Sequence, residues 1–311
     1  MNIYARILME EARRRGIDVK VMDDAFNIYY LTYQGEMIKC WESLTEKTSA
    51  FALTICQNKY LTHKYLLQAG LNTPRQTLWE GEERALQFMQ KCNGKLVVKP
   101  LNGEQGKGIT VGVDTTEKLL TAVEEARYID PAVVLEEYVP GRDLRVIVID
   151  YKFVAAIERI PAQVVGDGES TVAILIETKN EQLQENTGGE SRIPVNEGTE
   201  HLLKEQGLTL KSIVPHGQVA AVCRLANFHS GGTIEDVTSQ ISPVLKNVSE
   251  KAARTIGIPV VGLDLLVPDF CGGRYVIIEA NERPGLANHE PQPTAERFID
   301  FLFPKSAERG A

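Results

Sequence analysis

The chain has 311 residues, 43% of them hydrophobic and 24% charged, with a formal net charge of −8 and a pI near 5.3. Those proportions belong to a soluble globular protein of one large domain or two to three lobes. The acidic balance argues against nucleic acid or an anionic membrane as partner, since both demand a basic surface. No apolar run approaches the roughly 18 residues of a membrane span. The opening "MNIYARILMEEARRRG" carries charges throughout, unlike a signal peptide. A cytoplasmic location is expected. The five cysteines (Cys40, Cys56, Cys92, Cys223, Cys271) contain no CxxC pair and read as buried reduced thiols.

Along the chain, "ARILMEEARRRG" predicts a helix stopped at Gly16, and "IDVKVMD" alternates as a strand. "FNIYYLTYQGEMIKCWES" predicts a hairpin turning at Gln34-Gly35. "TSAFALTICQNKYLTHKYLLQAG" reads as one helix ending at Gly70, and "LNTPRQTLW" as extended chain, because Pro74 biases its predecessor away from helix. "KLVVKPLNGEQGKGITVGV" is strand, glycine-rich turn and strand; "TTEKLLTAVEEARYID" is a capped helix. "AVVLEEYVPGRDLRVIVIDYKFVAAIERIPA" gives strands parted by Pro140-Gly141. From about Gly166 to Gly217 the chain is polar and glycine-rich, predicting a loop-rich stretch with short helical pieces. "PVLKNVSEKAARTIG" and "TAERFIDFLFP" are helices flanking two Val/Ile/Leu-rich strands. Frequent hairpins among the helices predict an α+β fold with antiparallel sheets.

Three places carry chemistry. In "NGEQGKG", Asn102 to Gly108, three glycines in seven residues let backbone N–H groups approach an anion. The stretch continues as strand, so it is neither a P-loop nor a Rossmann fingerprint, and taken alone it is equally a plain turn. Lys99, ending the apolar "VVKP", is costly to bury unless an anion pairs with it; the alternative is that it snorkels to solvent. In "VLEEYVPGRDLRVIV", Glu136 and Glu137 end a strand and Asp143 follows the Pro-Gly turn. The Glu137–Val139 backbone suits an adenine and a carboxylate such as Asp143 suits ribose hydroxyls, although acidic residues at strand ends are commonly just solvated. Finally, "VVGLDLLVPDFCGGRYVIIEANERPG" sets Asp264, Glu279 and Asn281 within buried strands. They are hard oxygen donors suited to Mg²⁺ bound with substrate phosphates. Glu279 and Asn281 share a strand face, and a divalent cation relieves the repulsion between carboxylates.

In this order these residues resemble the ATP-grasp ligases, and among them the ATP-grasp portion of cyanophycin synthetase and of bifunctional glutathione synthetases. The matching stretches are "NKYLTHKYLLQAGLNTP", "VVKP" with "NGEQGKGI", "LEEYVPGRDLRV", "ERIPAQVVGDGESTVAILIE", "GGTIEDVT", "GLDLLVPD" and "VIIEANERPGLANHEPQP". The resemblance implies an ATP-grasp fold of two α+β lobes clasping ATP, preceded by a small N-terminal α/β segment. The expected division is 1–55 for that segment, 56–138 for the N-terminal lobe and 139–305 for the C-terminal lobe with the metal site.

It further implies that Lys59 and Lys99 contact phosphates and that Gly103, Gly106, Lys107 and Gly108 belong to the loop over the triphosphate. Glu136, Glu137, Tyr138 and Val139 form the adenine hinge, Asp143 takes the ribose, and Asp264, Glu279 and Asn281 hold Mg²⁺, with Mn²⁺ as a substitute. The implied activity is amide or peptide bond formation between amino acids or short peptides through an acyl phosphate, with Arg159, Lys99 and Arg283 as catalytic candidates. A non-catalytic ATP-binding module and a carboxylase or kinase of the same fold are the alternatives. D-alanine ligases carry an arginine where this chain has Gly262, so Arg224, Arg283 or Arg159 is expected to supply that charge. The implied partners are small-molecule substrates, with a homodimer among the arrangements common in the family.

Overall fold

The computed structural model describes residues 1–103, 107–187, 191–224, 226 and 230–309. The chain divides into two compact units, one formed by Met1–Gly103, Gly108–Ile157 and Asp236–Ala311, the other by Glu104–Lys107 and Glu158–Glu235. Among the described residues no helix is long and apolar enough to cross a membrane.

Helix α1 (Ile3–Arg14) starts where Asn2 accepts from Ala5 N at 3.0 Å, and it ends with Arg13 and Arg14 on its negative dipole end. Strands β1 (Asp18–Asp23), β2 (Ile28–Tyr33), β3 (Glu36–Trp41) and β4 (Leu44–Thr45) form an antiparallel sheet in that order. The predicted hairpin turn is present, with Gln34 at φ 51° and Gly35 at φ 87°. Positive φ at both residues matches the twist of a two-residue hairpin. One sheet face buries Tyr29, Leu31, Ile38 and Cys40 against α1.

The helix expected over 48–70 is two helices, α2 (Ala50–Gln57) and α3 (Lys59–Gln68). Asn58 leaves helical geometry at φ −111°, ψ 104°, and its side chain caps Leu61 N at 2.9 Å. An amide that bonds the backbone locally outcompetes continuation of the helix there. Next come β5 (Gln76–Leu78), α4 (Glu82–Lys91), β6 (Leu96–Pro100), β7 (Thr110–Val113), α5 (Thr116–Ile129) and β8 (Val133–Glu137). The strands make an antiparallel sheet in the order β5-β8-β6-β7. Helix α4 has no counterpart in the sequence reading.

Strands β9 (Arg142–Ile149) and β10 (Lys152–Ile160) form a hairpin through Asp150 and Tyr151, both at positive φ. The second unit then holds β11 (Gln163–Val165), α6 (Val172–Thr187), α7 (Glu197–Glu205) and β12 (Val219–Ala221), and the chain continues into β13 (Thr233–Asp236), whose last residue belongs to the first unit. The second unit's own core gathers Val164, Val172, Ile176, Leu203, Val214 and Ala220. The expected loop-rich stretch thus contains a sixteen-residue helix, α6. Its polar residues are mostly good helix formers, and propensity prevailed where the apolar pattern was weak.

The chain ends with α8 (Pro243–Ile256), β14 (Val260–Val267), β15 (Val276–Asn281) and α9 (Thr294–Leu302). The larger sheet runs β13-β10-β9-β14-β15. Strand β14 lies between β9 and β15, antiparallel to both, and is buried along nearly its whole length. The fold is therefore α+β with antiparallel sheets. The cysteines are free, with Cys40, Cys56 and Cys92 buried and Cys223 partly so; Cys271, expected inside, is exposed.

Candidate active site

Strand register sets the oxygen donors. Asp264 stands opposite Glu279, and Gly262 opposite Asn281, across the β14–β15 pair. Directly opposed residues in a ladder share a face, and Asn281 Nδ2 lies 3.5 Å from Asp264 Oδ2. The register thus sets these three residues on one face of the β14–β15 pair. On the other side of β14, Asp264 faces Arg145 of β9, whose Nη1 donates to Asp264 Oδ1 at 2.7 Å. Both side chains are largely buried.

Arg145 also explains Gly262. A Cβ on Gly262 would stand 2.6 Å from Arg145 Nε and Nη2, so the guanidinium fills the space that any side chain there would need. The cation beside Asp264 comes from β9, whereas sequence reasoning looked to Arg159, Arg224 or Arg283. Arg224 is paired with Glu205 in the second unit. Arg145 shares a strand face with Asp143, two residues before it, but only the β9–β14 register sets it against Asp264.

Lys59 opens α3 with its side chain buried, and its Nζ donates to Gly103 O at 2.8 Å and lies 3.6 Å from Glu279 Oε1. One ammonium thus joins the start of the glycine turn to the acidic strand. Asn102, the residue before Gly103, is tied to Asp130 Oδ2 through its backbone N at 3.1 Å and its Nδ2 at 2.6 Å. At Gly108 the backbone has φ +69° and a Cβ would meet Ile129 Cγ1 at 3.0 Å, so any other residue would be strained there. Gly106 lies outside the described residues. Lys107 is exposed and, like Arg159, falls in the second unit.

Lys99 does not snorkel. Its Nζ meets Glu136 Oε2 at 2.6 Å, and both side chains are only 4% exposed. The anion that the buried Lys99 requires is thus supplied within the protein by Glu136. Burying either charge without the other costs several kcal/mol (on the order of 3–5). Gln76 Nε2 donates to the same Glu136 oxygen. Gln76 Oε1 is buried without a hydrogen-bond partner, as are His63 Nδ1 and Thr73 Oγ1. His63 lies four residues after Lys59 on α3. Burial pushes its imidazole below the ordinary value, Lys99 adds to that effect, and the Glu136 charge opposes it. Sequence reading missed Gln76 and His63; the i,i+4 spacing from Lys59 was the only available signal for His63.

Glu137 is held differently. Arg75 grips it through Nε at 3.0 Å and Nη2 at 2.9 Å, and this fork keeps its carboxyl below the usual carboxylate range. Tyr138 N donates to Lys95 O at 3.2 Å, with the Lys95 ammonium 5.4 Å from the Tyr138 ring centre. Val139 follows, half-buried, and Asp143 stands opposite Leu266 in the β9–β14 ladder.

The donor set fits a small hard cation. Mg²⁺ takes one or two carboxylates and completes its shell with waters and substrate phosphates. Two carboxylates and an amide on one face match that, with Lys59 and Arg145 balancing the carboxylates. Among the described residues no cluster of three or more His, Cys, Asp or Glu forms an all-protein cage. The unpartnered buried atoms of Gln76 and His63 fit a polar ligand beside the Lys99–Glu136 pair.

Residues 56–184 match the RimK-like ATP-grasp domain. The chain is 32% identical over 311 residues to cyanophycin synthetase of Nostoc sp., an alignment covering 96% of this chain and 34% of that protein. It is 32% identical over 310 residues to the glutathione biosynthesis bifunctional protein GshAB of Enterococcus faecalis, covering 93% and 40% respectively. The crystal structure of a bifunctional glutathione synthetase from Pasteurella multocida superposes with a TM-score of 0.69 at 28% identity, covering 98% of this chain and 44% of that one. The chain therefore spans less than half the length of these relatives. Family model, relatives and structural neighbour agree, and the chain belongs to the ATP-grasp family.

Proposed function

We propose that this chain is an ATP- and Mg²⁺-dependent carboxylate–amine ligase that joins amino acids or short peptides and forms ADP. The observation that carries this reading is the bridging position of Lys59, between Gly103 O at 2.8 Å and Glu279 Oε1 at 3.6 Å. It ties the glycine turn to the strand holding the oxygen donors, which is where a triphosphate and its cation must meet.

Each residue then has a task. Asp264, Glu279 and Asn281 hold the cation, which when bound neutralises phosphate charge as the terminal phosphoryl group transfers. Lys59 and Lys99 attract and orient the phosphates. Glu136, with the unpartnered Gln76 Oε1 beside it, offers acceptors for an adenine amino group, and Glu137 to Val139 carry the backbone edge for the ring. Asp143 takes ribose hydroxyls. Arg145, fixed on Asp264, aims a permanent charge at the phosphoryl group. Preorganised charge of this kind acts without reorganisation during reaction. A substrate carboxylate attacks the terminal phosphorus, ADP leaves, and an amine displaces phosphate from the acyl phosphate.

The relatives' names support amino-acid or peptide substrates. The test is ADP release from MgATP with pooled amino acids and dipeptides, with products identified by mass spectrometry. Amine-dependent ADP and a condensed product are expected. ADP without any amine would mark a kinase or carboxylase, and nucleotide binding with no ADP from any pool would mark a binding module.

A further inference from the structure

Beyond the oxygen donors, the N-terminal segment holds an arginine. Arg283 lies two residues past Asn281 in the loop after β15. Its Cζ stands 3.9 Å from the centre of the Trp41 ring, and its Nε is 3.6 Å from Glu42 Oε2. Glu42 is itself fixed, since its Oε1 accepts from Asn2 Nδ2 at 2.6 Å and Asn27 Nδ2 at 3.1 Å. The next two residues are held as well. Ser43 Oγ donates to Pro284 O at 2.7 Å, and a Cβ on Gly285 would come within 2.7 Å of Tyr4 Cε1. Three successive loop residues are thus gripped by the segment that precedes α2.

The contacts leave one part of Arg283 available. Trp41 covers one face and Glu42 takes the Nε side, while among the described residues no hydrogen bond engages the Nη1–Nη2 edge. The side chain is 24% exposed. A planar guanidinium whose rotamer is already fixed by stacking presents two parallel N–H groups to a carboxylate, and it loses little freedom on binding one.

We infer that Trp41, Glu42 and Arg283 form an anchor for a carboxylate that does not react: the α-carboxylate of the amino acid supplying the attacking amine. This rests on the ligase reading above. The transferred phosphoryl group is served by Arg145 and Lys59, which contact Asp264 and Glu279 directly. Arg283 is instead fastened to the N-terminal segment, and the neighbouring Glu42 charge disfavours a phosphate dianion more than a carboxylate monoanion. Only one carbon separates an α-amine from its carboxylate, so gripping the latter orients the former. Arg283 is then a specificity residue, with Trp41 and Glu42 positioning it.

The test is a competition in one vessel. The protein receives MgATP, the twenty amino acids as free acids and the same amino acids as ¹⁵N-labelled α-amides. Mass spectrometry counts products ending in a carboxylate against products ending in an amide. Wild type should favour the carboxylate by about 10- to 100-fold, the worth of a charge-assisted pair. Arg283→Ala should bring that ratio close to one. Arg283→Lys, which keeps the charge and loses the fork, should fall between, as should Trp41→Leu and Glu42→Gln. Equal use of acids and amides by wild type, or an undiminished ratio in both Arg283 variants, overturns the anchor while leaving the ligase reading standing. Absence of any condensed product from either pool overturns the ligase reading, and the anchor falls with it.

Discussion

Gly262→Ala separates the fold from the charge arrangement it supports. Gly262 is buried on β14, and its backbone lies outside the left-handed region, so alanine meets no φ penalty. The added methyl would lie 2.6 Å from Arg145 Nε and Nη2 and 2.7 Å from Cζ, distances that force the guanidinium aside. What is lost is the 2.7 Å bond from Arg145 Nη1 to Asp264 Oδ1. A hydrogen bond to a charged group contributes about 1.5–3 kcal/mol. Replacing glycine returns about 0.4–1 kcal/mol by narrowing the unfolded ensemble. The net destabilisation is about 1–2 kcal/mol, or roughly 3–6 °C in Tm for a unit of this size. Turnover should suffer far more, by about 10²–10³-fold, because a preorganised charge no longer points at the phosphoryl group. Thermal melting and coupled ADP release measure the two effects. In an Arg145→Met background the same alanine should add little, since there is nothing left to displace. Turnover of Gly262→Ala within about twofold of wild type would refute the role given to Arg145.

Other outcomes follow from the same contacts. Lys99→Met leaves Glu136 buried beside Gln76 without its cation and should cost about 3–5 kcal/mol in urea unfolding, most of it recovered in Lys99→Met/Glu136→Met. Glu279→Gln should fold normally yet lose about 10²-fold or more in ADP release and need more Mg²⁺, because it removes a cation ligand while leaving Lys59 its bond to Gly103 O at 2.8 Å. His63 has a folded pKa below its unfolded value of about 6.5, so its neutral form is favoured in the folded state. Its contribution to stability is fully present above that value and is lost as pH falls toward the lower folded pKa. Between pH 7 and pH 5, His63→Gln should therefore lose less Tm than wild type; parallel losses would contradict the placement.

Much of the site was legible because its residues are anomalous where they stand. A lysine ending "VVKP" and three oxygen donors inside Val- and Ile-rich strands call for compensating charge, and alternation alone places Glu279 and Asn281 on one face. What stayed hidden depends on register and distance along the chain. Which residue of β9 meets Asp264 is fixed by the ladder, so Arg145 could not be chosen over other arginines from the text alone. The Lys99–Glu136 pair stayed hidden because its two members belong to different strands and meet diagonally across the β6–β8 pair. The Trp41–Arg283 stack joins residues 242 positions apart. The break at Asn58 was missed for a local reason: flanking helical patterns mask a capping amide, and that cap is what starts α3 at Lys59.

The most direct measurement follows an oxygen atom. Supplied with MgATP and amino acids labelled with oxygen-18 in their carboxylates, the protein should release inorganic phosphate carrying one labelled oxygen per amide bond formed, because the carboxylate oxygen that attacks phosphorus leaves with it. ADP and product accompanied by unlabelled phosphate would contradict an acyl phosphate. They would also remove the reason for gathering Lys59, Arg145 and the three oxygen donors around one phosphoryl group.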